Sequence, residues 1–215
     1  MRTSFHQSLE DLKNYITVIS GMVENAIDNS IEALKKGDIK LAREIIEIDE
    51  QIDDLELILE ERCTRLIALQ QPVASDLRTI IAISKILTDI ERIGDHAVNI
   101  AAKVIEIDGE ELIKPLCDIP QMSEIAINRL HQSIDAFINM DIELAKRIAR
   151  EDEKIDILDH QILSELIRYM LDDRANIKQA TALMFISRFL ERIGDHTTNI
   201  CERVIYMVSG YHKNY

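Results

Sequence analysis

The chain has 215 residues and a formal net charge of −14. That charge excludes a nucleic-acid binder, which needs basic surface to displace counterions, and direct docking on an anionic membrane; bound cations or a basic protein partner remain open. Apolar residues make up 47%, Trp is absent and there are only three Pro and six Gly, so a chain rich in Leu, Ile, Ala, Glu, Lys and Arg favours helix over sheet.

Leu9, Leu12, Ile16, Ile19, Val23 and Ala26 alternate steps of three and four, the mark of a helix with a narrow apolar seam. The spacing predicts this helix over residues 3–36, closed by Gly37, with Asp38 capping the next. Leu41, Ile45, Ile48, Ile52, Leu55 and Leu59 carry the same rhythm to about Leu69. Pro72 is expected in the first turn of a third helix, which carries Ile83, Leu87, Ile90, Gly94, Ala97, Ala101 and Val104 and frays near Asp108 and Gly109. Pro115 and Pro120 bracket a linker.

After the linker the pattern restarts. GDIKLA at 37–42 returns as MDIELA at 140–145, and ERIGDHAVNIA at 91–101 returns as ERIGDHTTNIC at 191–201. The offset is 103 residues through the second helix and 100 in the third. Such self-similarity means duplication. The expectation is an all-α protein of two tandem homologous three-helix bundles, six long antiparallel helices in all, crossing at shallow angles. The first repeat spans 1–109, a linker 110–119, and the second repeat 120–215.

The repeated acids carry the functional signal. Glu91, Asp95 and Asn99 are four apart, so they line one helix face about 6 Å apart. Asp49 and Asp53 share that spacing on the helix before. Antiparallel neighbours bring these four carboxylates to one groove, and Asp152, Asp156, Glu191, Asp195 and Asn199 rebuild it in the second copy. Clustered carboxylates repel unless protonated, paired or bound to cations. Hard oxygen donors suit iron, manganese, magnesium or calcium, with zinc a further candidate.

Any single pair of acids four apart is ordinarily a solvated helix face. Recurrence at corresponding positions in both copies argues otherwise here. The same test discounts Glu50 with Asp54, matched by Glu153 and Ile157, and Glu24 with Asp28, matched by Ile127 and His131. Arg92 and Arg192 sit one residue from each Glu and are expected to point about 100° away. His96 and His196 are likewise turned off the acidic face, which suits hydrogen bonding at the bundle surface. His160 has no counterpart His. Gly94 and Gly194 suit close helix approach. No nucleophile and base stand together, so no enzyme is expected.

Cys63, Cys117 and Cys201 are unpaired in spacing, as for free thiols in a reducing compartment. No apolar segment follows Arg2 to make a signal peptide, and no run of about 18 apolar residues spans a bilayer. A cytoplasmic protein is expected.

QQPVASDLRTIIAISKILTDIERIGDHAVNIA and FLERIGDHTTNICERVIYMVSG resemble the PhoU family of phosphate-transport regulators, and the resemblance extends over essentially the whole chain, including LEDLKNYITVISGMVENAIDNSIEAL. It implies multinuclear metal clusters of iron or zinc, with manganese or magnesium as further candidates, held by Asp49, Asp53, Glu91 and Asp95 and by Asp152, Asp156, Glu191 and Asp195. It implies a cytoplasmic negative regulator of the phosphate-starvation response, acting with the ATPase subunit of the Pst phosphate transporter and a phosphate-sensing histidine kinase, with a homodimer expected. Two other classes compete. A ferritin-like di-iron protein builds its site from Glu and E-x-x-H, which this chain lacks. A metal-independent helical adaptor leaves the acids solvated.

Overall fold

The computed structural model describes residues 2–151 and 153–211, with side chains from Phe5 onward. Seven α-helices stand in order among the described residues: α1 Arg2–Lys36, α2 Ile39–Gln70, α3 Ser75–Ile107, α4 Asp118–Asn139, α5 Ile142–Arg150, α6 Glu153–Asp172 and α7 Ile177–Ser209. A short 3-10 turn, Arg174–Asn176, precedes α7. Helices α1, α2 and α3 pack on one another, α4, α5 and α6 pack on α7, and the two bundles join through α3 against α7 and α1 against α4. This is the six-helix order expected from the duplication, with the fifth helix delivered as α5 and α6.

Burial follows the seams. All six seam residues of α1 and all seven of α3 are buried. Each fully buried Ile or Leu contributes about 1.5–3 kcal/mol relative to exposure. Helix α2 is peripheral: Ile45, Ile52 and Leu59 are buried, while Leu41, Ile48 and Leu55 are half-buried. Its outer edge therefore stays wet beside α3, which is where its acids lie.

The helix ends follow local chemistry. Gly37 takes φ 63, and Asp38 accepts a hydrogen bond from the Leu41 N–H at 3.0 Å. Asp141 repeats that cap on the Glu143 and Leu144 N–H groups, both at 3.0 Å. Pro72 differs from expectation. Gln71 turns left-handed at φ 45 to close α2 and Ala74 turns again at φ 51, so α3 begins at Ser75, beyond Pro72. Pro120 differs too, because α4 starts at Asp118 and takes it into its first turn, where the missing N–H costs nothing.

Arg129 sits beside the break between α5 and α6. Arg129 stands where the first copy has Ala26. Its Nη1 donates to the Glu151 carbonyl at 3.3 Å and its Nη2 to Thr198 Oγ1 at 3.0 Å. The connection before α4 is pinned rather than loose. Gln179 of α7 accepts from the Ile113 N–H at 2.6 Å and donates to the Glu111 carbonyl at 3.0 Å. Buried Lys114 pairs with Glu165 and with Asp118.

Candidate metal centre

The first cluster forms where the acid-bearing face of α2 meets that of α3. Asp49 and Asp53 come from α2, Glu91 and Asp95 from α3. Burial, then Asp53 and Asp95, pushes the Asp49 carboxyl up from 3.8 to about 6. Burial, then Asp95, Glu56 and Asp53, pushes Glu91 up from 4.5 to about 7, with Arg92 opposing weakly. Asp95 is raised by burial and Asp53, again against Arg92. After burial, the neighbouring charges link Asp49 with Asp53 and Asp95, and Glu91 with Asp95 and Asp53, so the four expected acids lie along one α2–α3 contact. Among the described residues, none of the four accepts a hydrogen bond or sits in an ion pair.

Glu56 also belongs to this cluster and was missed in the sequence. Its carboxyl is raised by burial first, then by Glu60, Asp53 and Asp95, while a Thr88 hydrogen bond lowers it. A signal existed: the offset of 103 that relates Asp53 to Asp156 relates Glu56 to Asp159, an acid in both copies. Glu60 maps onto Leu163 and has no such signal.

The second cluster is built on α6 and α7. Asp152 lies outside the described residues; Glu191 and Asp195 come together on α7, while Asp156 lies exposed on α6. Asp159 joins them, buried, with its Oδ1 accepting from Ser187 Oγ at 2.6 Å. Glu191 is raised by burial and Asp195, with Arg188 and Arg192 opposing. The arginines overturn a sequence expectation. Arg192 does not point away: its Nη1 donates to Asp195 Oδ2 at 3.0 Å and its Nε lies 3.7 Å from Glu191 Oε2. A long flexible side chain reaches back over the angle its backbone position sets. Arg188, not singled out in the sequence, donates Nη1 to Glu191 Oε1 at 2.8 Å and lies 3.7 Å from Asp159.

The histidines also correct the sequence reading. They lie not at the bundle surface but in the seam between α3 and α7, their ring centroids 5.6 Å apart. His196 Nδ1 pairs with buried Asp89 at 3.0 Å, and Asn199 donates to the same Asp89 oxygen at 3.2 Å, so Asn199 serves the seam rather than the acidic face. His96 meets Phe189 instead, where the repeat replaces Asp89, with ring centroids 5.8 Å apart. Burial first, then His196 and the two arginines, lowers its pKa from 6.5 to about 4. Gly94 corrects a reason. An added Cβ would meet Ile52 and Val23 at 3.6 Å, ordinary contact, so close approach alone does not demand glycine.

The donor set fits a hard cation in chemistry: oxygen ligands only, several of them raised by mutual repulsion, and Glu191 Oε2 buried without a hydrogen-bond donor. As placed, no three His, Cys, Asp or Glu side chains among the described residues stand in ligating position together.

The profile of the PhoU domain matches residues 16–104 and again 119–204. The chain belongs to the PhoU family. It is 44% identical over 204 residues to the phosphate-specific transport system accessory protein PhoU homolog of Aquifex aeolicus, covering 95% of this chain and 92% of that one. It is 37% identical over 206 residues to the phosphate-specific transport system accessory protein PhoU of Escherichia coli K12, covering 96% and 86%. The crystal structure of PhoU from Pseudomonas aeruginosa superposes with a TM-score of 0.92 at 36% identity, covering 96% of this chain and 100% of that one. The phosphate transport system regulatory protein PhoU from Streptococcus pneumoniae gives 0.92 at 31%, covering 98% and 100%. Among the described residues of this PhoU-family chain, no helix is long and apolar enough to cross a membrane.

Proposed function

We propose that this chain is a cytoplasmic, metal-binding regulator of phosphate uptake and of phosphate-starvation signalling. It acts as a homodimer that restrains the starvation response through the ATPase subunit of a phosphate transporter and a phosphate-sensing kinase. Family membership supports the phosphate role, since the relatives are named as accessory and regulatory proteins of phosphate transport. The observation that carries the metal role is the first cluster. Asp49, Asp53, Glu91 and Asp95 crowd one groove without a pairing cation, and repulsion of that kind is relieved by bound metal.

The residues that hold the metal are Asp49, Asp53, Glu91 and Asp95 in the first cluster, and Asp152, Asp156, Glu191 and Asp195 in the second. Bound iron or zinc neutralises each cluster and ties α2 to α3, and α6 to α7. Asp53 and Asp95 lie exposed at the groove mouth, so a partner approaching that face meets a surface whose charge depends on metal loading. At −14 the chain does not act on DNA directly, so control of genes passes through another protein.

Two experiments test this. Elemental analysis of protein purified without chelator or histidine tag is expected to find transition metal bound, and metal-free protein would leave a helical adaptor. In the native host, deletion is expected to leave phosphate-starvation genes on in rich phosphate, with this chain restoring repression. Failure to restore despite normal expression would sink the regulatory role.

A further inference from the structure

The two clusters share a hexapeptide but not its surroundings. Three residues before Glu91 stands Thr88, and three before Glu191 stands Arg188. Thr88 brings no charge: its hydroxyl donates to the Ser84 carbonyl at 3.2 Å and lies beside Glu56, whose carboxyl it lowers. Arg188 reaches from solvent over the second cluster to two acids that are almost buried, Glu191 at 2.8 Å and Asp159 at 3.7 Å. Leu87 is matched by Ser187, which fixes Asp159 on the far side at 2.6 Å. Arg92, the partner of Arg192 in the repeat, makes no ion pair among the described residues, whereas Arg192 binds Asp195 at 3.0 Å. Among the described residues, Glu191 is thus faced by two arginines, Arg188 and Arg192, and Glu91 by Arg92 alone, while Glu60, which bears on Glu56 in the first cluster, is matched by Leu163.

We infer that Arg188 is a built-in counter-cation that competes with metal for Glu191 and Asp159, so that the second site fills only after the first. The inference rests on the metal-binding reading above and adds an order of loading to it. A divalent ion ligated by Glu191 must displace the guanidinium, which then stands as a like charge a few ångströms from the ion. The first cluster has no such occupant, and a cation entering it relieves repulsion at once. The first site accordingly holds metal at low supply, while the second responds to the surplus. When metal leaves, Arg188 closes onto the acids and keeps the α6–α7 face neutralised.

The test is equilibrium titration of the full chain with Mn²⁺, Zn²⁺ and anaerobic Fe²⁺, each metal alone. E91Q/D95N leaves only the second site, and E191Q/D195N leaves only the first. The first site is expected to bind more tightly. In the E91Q/D95N background, R188T raises affinity about tenfold, R188Q does the same while keeping side-chain length, and R188K leaves it near the parent value. In the E191Q/D195N background, T88R weakens affinity about tenfold. Thermal melting of the metal-free protein supplies a readout independent of affinity: R188Q lowers the melting temperature and enlarges the rise that metal produces. Equal affinities at the two sites, unmoved by R188T, R188Q and T88R, would overturn the inference and leave the metal-binding reading intact. No binding of any of the three metals at either site would remove both.

Discussion

The two acid clusters descend from one template and keep the same six letters, yet they solve the repulsion problem differently. The first leaves its carboxylates bare and stores the cost as raised pKa values, about 6 at Asp49 and about 7 at Glu91. The second folds Arg188 and Arg192 onto its acids and ties Asp159 to Ser187. The motif fixes where carboxylates project, and residues one turn before it fix whether they are free. A duplicated motif therefore predicts a duplicated shape more safely than a duplicated affinity.

The largest expected effect separates the clusters outright. Replacing Glu91 and Asp95 by Ala should empty the first site and leave the second filled, because each copy holds its own set of acids. Metal content by elemental analysis checks it. Retention of all metal by that double variant would show that these acids are not ligands.

A smaller effect concerns the seam, where the copies are also unequal. Asp89 holds both His196 and Asn199, whereas Phe189 offers His96 only a ring face, and His96 Nδ1 is buried without a hydrogen bond. Asp89→Ala should cost about 2–3 kcal/mol in urea denaturation, since it strands two partly buried polar side chains. Asp89→Asn, which can still accept from one of them, should cost less. A loss below about 0.5 kcal/mol for Asp89→Ala would mean that the seam rests on apolar packing alone.

Such a seam was not legible in the sequence. Asp89 and His196 lie 107 residues apart, and neither position carries a periodic signal that pairs them. The helices and their order were legible, because three-four spacing and a whole-chain repeat are local or self-referential patterns. So was the gathering of Asp49, Asp53, Glu91 and Asp95, which follows from i,i+4 geometry on adjacent helices. What failed was inference from angle alone. Arg192 sits one residue off the acidic face, yet three methylenes and a planar head carry it back to Asp195. The contact of Arg129 with Glu151 beside the broken fifth helix was not legible either, because Arg129 reads as an ordinary polar residue until α4 is placed beside Glu151. Glu56 carries a legible signal too, because the offset of 103 pairs it with Asp159, although it stands three residues from Asp53 rather than four.

The smallest effect is a pH slope that distinguishes the clusters in the metal-free protein. Glu91 titrates near 4.5 when unfolded and near 7 when folded, and Asp49 near 3.8 and near 6. The folded chain therefore binds more protons than the unfolded one between these values. Stability must fall as pH rises through that window and level off above it. After allowing for solvent screening at these partly exposed groups, the fall is roughly 1–2 kcal/mol in total. Glu91→Gln should flatten the slope and stabilise the metal-free protein at pH 8, because it removes a partly buried charge whose repulsion from Asp95, Glu56 and Asp53 outweighs its attraction to Arg92. Glu191→Gln should gain less at pH 8, or lose, because it strips Arg188 and Arg192 of a shared partner. Urea denaturation at pH 5 and pH 8, with chelator present, measures both slopes. Equal gains from the two substitutions would mean that the arginines do not neutralise the second cluster in solution, and the contrast between the copies would then be one of sequence only.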